Sequence, residues 1–169
     1  MGTTTPPVVQ TVTHISVTID GTSVSGVDPS AMNNLLFKSC TAPSWSIDAP
    51  KHVFHGNNGT PETIISSVQN PQYGTMTLVG GWDPNNVLAH WMNQISDPSV
   101  QMSDKKATVT VQFLDSTGTG LFQWVGTGAI LTGFSHSPSD AASNAVLTIT
   151  ATIDADSWAL CQSGGTTPL

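Results

Sequence analysis

The sequence predicts a mainly β fold, an antiparallel β-barrel or sandwich with one flanking α-helix. Two observations lead to this prediction. Apolar and polar residues alternate in several short segments, as in Ile15, Val17 and Ile19, and this pattern is typical of strands with one face toward a core. One segment, at about 83–97, instead repeats its apolar residues at helical spacing. Together they favour sheets closed or stacked around a core and covered on one side by the helix.

The alternating segments give about seven strands in chain order. The first, HISVTIDGTSV, contains the turn signal Asp20-Gly21. Gly126 and Gly128 interrupt a later segment, where we expect a bulge or a bend. Residues 48–62 contain two prolines and two glycines, which predicts a turn-rich loop. The other strand segments lie at 35–47, 62–68, 72–81, 106–115, 121–136 and 144–158.

The helical segment has start and stop signals of its own. Asp83 is a suitable N-cap, and Pro84 occupies the first helical position, where the missing N–H of proline costs nothing. Trp82 and Val87 have the spacing of a hydrophobic staple. Pro98 ends the helix after about three turns. The predicted helix-packing residues are Trp82, Val87, Leu88, Trp91, Met92 and Ile95.

Length and charge exclude several classes of protein. The chain of 169 residues fits a single domain, 1–169, in which 1–10 and 160–169 are expected to be flexible or interface tails. Charged residues make up 9% of the chain, its cationic residues are all lysines, and its net charge is −7. Specific DNA or RNA binding is not expected, because it needs phosphate contacts from Lys and Arg. The N-terminus lacks the basic and apolar regions of a signal peptide, which predicts synthesis in the cytosol. No apolar run is long enough for a transmembrane helix.

No catalytic, cofactor or metal site is predicted. His52 and His55 have metal-ligand chemistry, but they lie in a turn-rich segment without an evident third ligand, so loop histidines are favoured. Ser135, His136 and Asp140 are the residue types of a hydrolase triad, but no Gly-x-Ser-x-Gly turn accompanies them. We therefore predict that the protein is not an enzyme.

Cysteine and tryptophan leave alternatives open. Cys40 and Cys161 are favoured as two buried thiols over a disulfide, because no export signal is present. Two of the five tryptophans belong to the helix, and core or subunit-interface positions are favoured for Trp45, Trp124 and Trp158. Exposed tryptophans would instead suit a carbohydrate-binding β-sandwich module, which is the alternative function.

The order of these elements resembles a known family. YGTMTLVGGWDPNNVLAHWMNQI, then KKATVTVQFLDSTGTGLFQWVGTGAILTGFS, then AASNAVLTITATIDADSW are similar to the tail tube proteins of contractile phages and the inner tube proteins of contractile injection systems. The resemblance covers roughly residues 15–158 and departs from the family pattern at Lys105, at Lys106 and in 20–35. The matching residues are Leu78, Gly81, Leu88, Trp91, Val109, Val111, Leu114, Asp115, Gly118 and Trp124.

The resemblance implies a function and a location. It implies the fold of the haemolysin-coregulated protein, with hexameric rings that stack into a hollow tube conducting DNA or effector cargo without binding it specifically. The implied partners are the protein itself, a sheath protein, a baseplate, and tail-terminator or tape-measure proteins. The implied location is the virion, in a phage tail, or alternatively an extracellular or cytoplasmic injection particle, after synthesis in the bacterial cytoplasm. No cofactor and no membrane is implied.

The resemblance also implies roles for particular segments. The helix at 84–96 would cover the outside of the barrel and face the sheath or an adjacent subunit. The uncharged polar face of the threonine-rich strands would line the lumen. The loop at 40–62 would reach a neighbouring subunit or ring, and its interface residues would be Trp45, Asp48, Lys51, His52, His55 and Glu62.

Overall fold

Strands dominate the part of the chain that the structure describes. This computed structural model describes residues 11–21, 29–33, 35–47, 51–55, 61–65, 71–81, 83, 85–137, 148–165 and 168. The strands are β1 His14–Asp20, β2 Leu35–Phe37, β3 Ser39–Thr41, β4 Trp45–Ser46, β5 Lys51–His55, β6 Pro61–Ile65, β7 Gln72–Tyr73, β8 Met76–Gly81, β9 Ala107–Leu114, β10 Gly120–His136, β11 Ile149–Asp154 and β12 Ser157–Gln162. The helices are α1 Val87–Ser96 and α2 Met102–Lys105, and a 3-10 turn spans Pro29–Met32.

The main sheet closes on itself through one segment of chain. Its strand order is β2-β1-β9-β10-β11-β8-β3, and β2 and β3 are separated only by Lys38. Lys38 itself donates its backbone N–H to the carbonyl of Val79 at 3.1 Å. The segment 35–41 therefore pairs with β1 at one end and with β8 at the other, which completes a barrel of antiparallel strands. The predicted fold class is confirmed.

β10 bends in the middle and joins the two halves of the barrel. Its first half pairs with β9 on one edge and β12 on the other, and its second half pairs with β11. The register with β9 shifts between Gly126 and Ala129, and Gly128 has a positive φ of 63°. The bulge predicted at these glycines is confirmed.

The barrel interior is filled by the alternating apolar residues. Along β9 buried and half-buried residues alternate over the whole strand, as the sequence pattern predicts. The fully buried interior residues include Val17, Met76, Leu78, Val109, Val111, Leu131, Ala151 and Ile153. The opposite, outward face of β1 and β9 bears mostly uncharged polar side chains, among them Ser16, Thr18, Thr108, Thr110 and Gln112.

Helix α1 packs against β10 with its apolar stripe. Val87, Leu88 and Trp91 are buried, and Met92 and Ile95 are half-buried against the same core. β9 begins at Ala107, which pairs with Ala129 of β10, and β10 continues beyond this pair. Helix α1 packs on β10. The indole N–H of Trp91 donates to the carbonyl of Lys105 at 3.0 Å, which ties the helix to the chain entering β9.

The predicted start of this helix is wrong by three to four residues. The helix begins at Val87, and its N-cap is Asn86, in the left-handed region at φ 52° and without a side-chain cap. Asp83 is not the N-cap, but its carboxylate accepts the backbone N–H of Leu88 at 2.9 Å, because the intervening turn brings it back to the helix end. Trp82 and Pro84 lie outside the described residues.

Two buried charges of opposite sign lie at the two ends of α1. Asp83, 8% exposed, lies at the N-terminal end, where a helix favours an anion. Lys105, also 8% exposed, donates from Nζ to the carbonyls of Ile95 and Asp97, both at 2.7 Å, at the C-terminal end. Both charges therefore complement the helix dipole and satisfy backbone groups that the helix leaves unpaired.

Several predicted strands are divided in the structure. The segment 35–47 contains β2, β3 and β4, and 144–158 contains β11 and the start of β12. The divisions between β2, β3 and β4 mark changes of pairing partner, which alternation does not reveal. β11 and β12 both pair with β10, but only β11 also pairs with β8. Residues 160–162, expected in a tail, complete β12, and Gln123 holds the following turn by accepting the N–H of Gly164 and donating to the carbonyl of Gly165.

We expect Trp91→Ala to lower the free energy of unfolding by roughly 3–5 kcal/mol, because it removes a fully buried aromatic side chain and its hydrogen bond. Urea denaturation measures this, with Trp45→Ala as the control, since Trp45 is 58% exposed. A loss below about 1 kcal/mol for Trp91→Ala would show that the helix face is not part of the core.

We expect Lys105→Met to destabilise the protein by about 2 kcal/mol or more, because two helix-terminal carbonyls lose a charged donor in a buried site. Lys106→Met is the matched control. Its ammonium forms an exposed ion pair with Asp156, so its loss should cost less than about 1 kcal/mol. Equal losses in urea denaturation would contradict the helix-capping role of Lys105.

Candidate assembly surface

A two-stranded arm, residues 45–73, leaves the barrel between β3 and β8. β4 pairs with β7 at its base, and β5 pairs with β6 further out, both antiparallel. Neither pair is hydrogen-bonded to the main sheet. The loop predicted at 40–62 therefore contains the end of β3, all of β4 and β5, and the start of β6. The signal that predicts β5–β6 is Asn58-Gly59, a strong hairpin dipeptide, between two segments containing β-branched residues.

The base of the arm is anchored by an aromatic contact. The ring of Trp45 meets that of Trp124 edge-on, with centroids 5.9 Å apart and planes at 73°. Trp124 is nearly buried on β10, whereas Trp45 is 58% exposed. Ile47, also 58% exposed, follows on the same segment. The arm base thus presents apolar side chains to solvent.

The arm base and β12 enclose a groove, which we call the arm groove. Its volume is about 340 Å³. None of its described lining residues is charged. One of them, Trp158, has a buried indole N–H without an acceptor among the described residues. Trp158 also lies flat against Gly126, where a Cβ would come within 2.6 Å of its ring. The lining residues are Trp45, Tyr73, Ser157, Trp158, Ala159, Leu160 and Pro168.

The outer hairpin of the arm lacks a supporting surface among the described elements. β5 and β6 have extensive contacts only with each other. Val53, in the middle of β5, is 59% exposed. An isolated two-stranded hairpin is marginally stable in water, so it needs a partner surface. Lys51, His52, His55 and Glu62 lie on these two strands, with side chains outside the described part, and Asp48 lies wholly outside it.

Two exposed carboxylates stabilise turns. The Thr117 hydroxyl, and after it the backbone N–H of Thr119, hold the pKa of Asp115 below its ordinary value. The Ser99 hydroxyl and N–H likewise lower the pKa of Asp97, with a smaller effect from the Lys105 charge. Both carboxylates are therefore ionised near neutral pH and accept hydrogen bonds within their own turns.

The cysteines and the Ser135-His136 pair are the other candidate reactive groups among the described residues. Cys40 and Cys161 are free thiols, and burial raises the pKa of Cys40 to about 11, so its thiol is protonated and unreactive near neutral pH. Ser135 and His136 are exposed at the end of β10, and Asp140 lies outside the described residues.

The described residues include neither a metal-binding cluster nor a membrane-spanning helix. No group of three His, Cys, Asp or Glu side chains there could hold a metal ion. None of the described helices has the length and apolar character needed to cross a membrane.

A match to a known protein family shows the relationship of this chain to other proteins. The family of the T4-like virus tail tube protein gp19 matches residues 13–159, most of the chain. The chain belongs to this family. The resemblance predicted from the sequence is therefore confirmed, and the tail tube family is one of structural proteins. No curated protein matches the chain in sequence.

Solved structures share the tail tube fold. A chain of the anti-feeding prophage cap (AFP tube terminating cap) has a TM-score of 0.63 and 19% identity, covering 96% of this chain and 97% of its own. A chain of the PVC sheath-tube complex of an extracellular contractile injection system has a TM-score of 0.58 and 19% identity, covering 91% and 92%. The crystal structure of an Hcp protein has a TM-score of 0.50 and 11% identity, covering 91% and 94%. These likenesses establish the shared fold.

We expect the protein to lose stability in acid through Asp115 and Asp97. Their pKa values are lowered in the folded state, so their contribution is complete above the unfolded value of about 4 and is lost as pH falls through the folded values. The measurement is the midpoint of thermal unfolding between about pH 5 and pH 2.5.

Thr117→Val should flatten this pH dependence, because it removes the hydroxyl that contributes most to lowering the pKa of Asp115. Ser116→Ala, in the same exposed turn, is the matched control. An unchanged slope in Thr117→Val would exclude Asp115 as a source of the acid sensitivity.

Proposed function

We propose that this protein is the inner tube subunit of a contractile particle. Its copies close into hexameric rings, and the rings stack into a hollow tube that conducts DNA or effector cargo. Membership of the tail tube family supports this function. The observation that carries it is the arm, an unsupported hairpin with an exposed apolar residue on a barrel that is otherwise closed.

The arm is the proposed contact between subunits or rings. A two-stranded hairpin gains stability when it packs on another surface, and Val53 offers apolar area for that contact. The predicted interface residues Trp45, Asp48, Lys51, His52, His55 and Glu62 all belong to the arm segment. The strands that close the barrel pair with one another, so among the described strands of the main sheet only β12 leaves an outer edge open to another copy.

The contact is proposed to be heterologous, with different surfaces meeting on the two copies. Such interfaces close into rings or extend into filaments. An arm reaching from one copy to another surface of the next satisfies this description, and repetition within and between rings builds a tube.

The outward face of β1 and β9 is the proposed lumen lining. Its central residues bear hydroxyl and amide groups, as in Thr18, Thr110 and Gln112. Helix α1 packs on β10 and not on this face, so the helix is proposed to lie on the outside of the ring. A wall without Lys or Arg offers a polyanion no phosphate contacts, so cargo passes without specific binding. No catalytic step is part of this function.

The proposed partners follow from the related assemblies. Solved chains with this fold come from a sheath-tube complex, a tube terminating cap and a baseplate. We therefore propose a sheath, a baseplate and a terminator as partners of this subunit, together with a tape-measure protein, and a phage tail as its location.

Negative-stain electron microscopy of the purified protein tests the function, with its mass measured in solution. We expect six-fold rings or stacked tubes. A monodisperse monomer that also fails to form rings on purified baseplates would count against a tube function.

Replacing residues 48–70 with Asn-Gly should abolish rings and tubes while the subunit still folds, because the dipeptide closes the β4–β7 base as a two-residue turn. No residue of the replaced segment belongs to the described core, so the unfolding midpoint should change by only a few degrees. Tubes as abundant as those of the wild type would show that the arm is not the contact.

A pair of point variants makes the same test without shortening the chain. Val53→Asp should impair assembly, because it places a charge on the apolar arm contact. Met102→Asp is the control, since Met102 has the same 59% exposure on α2, away from the arm. Electron microscopy should show assembly failing only in Val53→Asp, and equal impairment would remove the special role of the arm.

The exposed Trp45 also favours the alternative, a carbohydrate-binding module. Its groove has few polar side chains for sugar hydroxyls, namely those of Tyr73 and Ser157. Glycan binding by a protein that stays monomeric would support this alternative over the tube function.

A further inference from the structure

The arm groove has the chemistry of a proline-binding surface. The exposed Trp45 and the half-buried Tyr73 line it, beside Trp158, which is 2% exposed, and none of its described lining residues is charged. Aromatic-lined grooves bind extended proline-rich segments, because the rings pack on pyrrolidine rings and polar ring groups pair with the exposed carbonyls of the ligand.

One proline of the chain already lies in this groove. Pro168 is a lining residue, and its backbone forms an antiparallel bridge with Cys161 of β12. An extended segment carrying proline can therefore lie along the outer edge of β12. Beyond Cys161 the edge at 157–160 has no strand partner among the described residues, so the groove can accept a second extended segment.

We propose that the arm groove binds the Pro6-Pro7 segment of a second copy of this chain. These two are the only adjacent prolines among the eleven in the sequence, and a Pro-Pro pair favours the extended polyproline conformation. The surrounding residues, Thr3–Gln10, have no charged side chain, which matches the uncharged described lining of the groove. Residues 1–10 lie outside the described part of the chain.

This contact joins copies head to tail. The N-terminal segment of one copy occupies the groove at the arm base of the next, so the interface is heterologous and repeats around a ring or along a tube. The choice of a second copy as the partner rests on the proposed tube function. The ability of the groove to bind this segment does not.

The test uses the full chain with its own Pro-Pro pair replaced, the double variant Pro6→Ser/Pro7→Ser. Isothermal titration calorimetry measures its binding of the synthetic peptide TTTPPVVQ and of the control peptide TTTSSVVQ. We expect the first peptide to bind at least about tenfold more tightly than the second. Adding Trp45→Ala should weaken that binding at least about tenfold, a loss typical of an aromatic hot spot. Ile47→Ala, at an equally exposed position outside the lining, should leave it unchanged.

Equal affinity for the two peptides, no measurable binding, or binding that survives Trp45→Ala would overturn the proposal. Wild-type monomer at high dilution should bind TTTPPVVQ as the double variant does. If the wild-type monomer does not bind the peptide, its own Pro6-Pro7 segment occupies its groove, and the proposed contact with a second copy is wrong. Electron microscopy of the wild type separates the two hypotheses: tubes without peptide binding remove only the groove contact, and peptide binding without tubes removes only the tube function.

Discussion

The fold depends on the close packing of glycine and tryptophan where β10 bends. Gly126 has no space for a side chain, because the Trp158 ring lies over it, and Gly128 has a positive φ that other residues adopt with strain. The bend lets one strand pair with β9 and β12 in its first half and with β11 in its second. Both halves of the barrel, the support for α1 and the β12 wall of the arm groove therefore depend on the same few residues.

Helix α1 shows how a chain with little charge uses the charges it has. Asp83 and Lys105 are buried at opposite ends of the helix, where each satisfies backbone groups and complements the dipole. Because Trp91 donates to the carbonyl of Lys105, the helix and the entry to β9 form one packed unit. The outer side of this helix is thereby fixed in position relative to the barrel.

Local patterns in the sequence predicted the elements better than their pairing. Alternation identified β1 and β9, and the apolar stripe identified α1, because those signals arise within one segment. The change of pairing partner at Lys38, from β1 to β8, could not be predicted, since closure of the barrel depends on strands that are distant in sequence. The arm hairpin was not predicted, because Pro50 and Gly56 favoured a turn-rich loop over the hairpin that Asn58-Gly59 indicates. The groove was missed because Trp45, Tyr73 and Trp158 come together only in the folded chain.

The positions of the four lysines determine how strongly a tube of this protein would attract a polyanion. Lys105 is buried at the end of α1, and Lys106 is paired with Asp156. Lys38 lies where the barrel closes, and Lys51 lies on the arm strand β5. None belongs to the outward face of β1 and β9, where the charged residue is the anionic Asp20 at the end of β1. Nucleic-acid binding gains its affinity from cations that replace counter-ions on phosphate. A surface without them lets DNA move along it, and this distribution of charge supports a conduit rather than a binding protein.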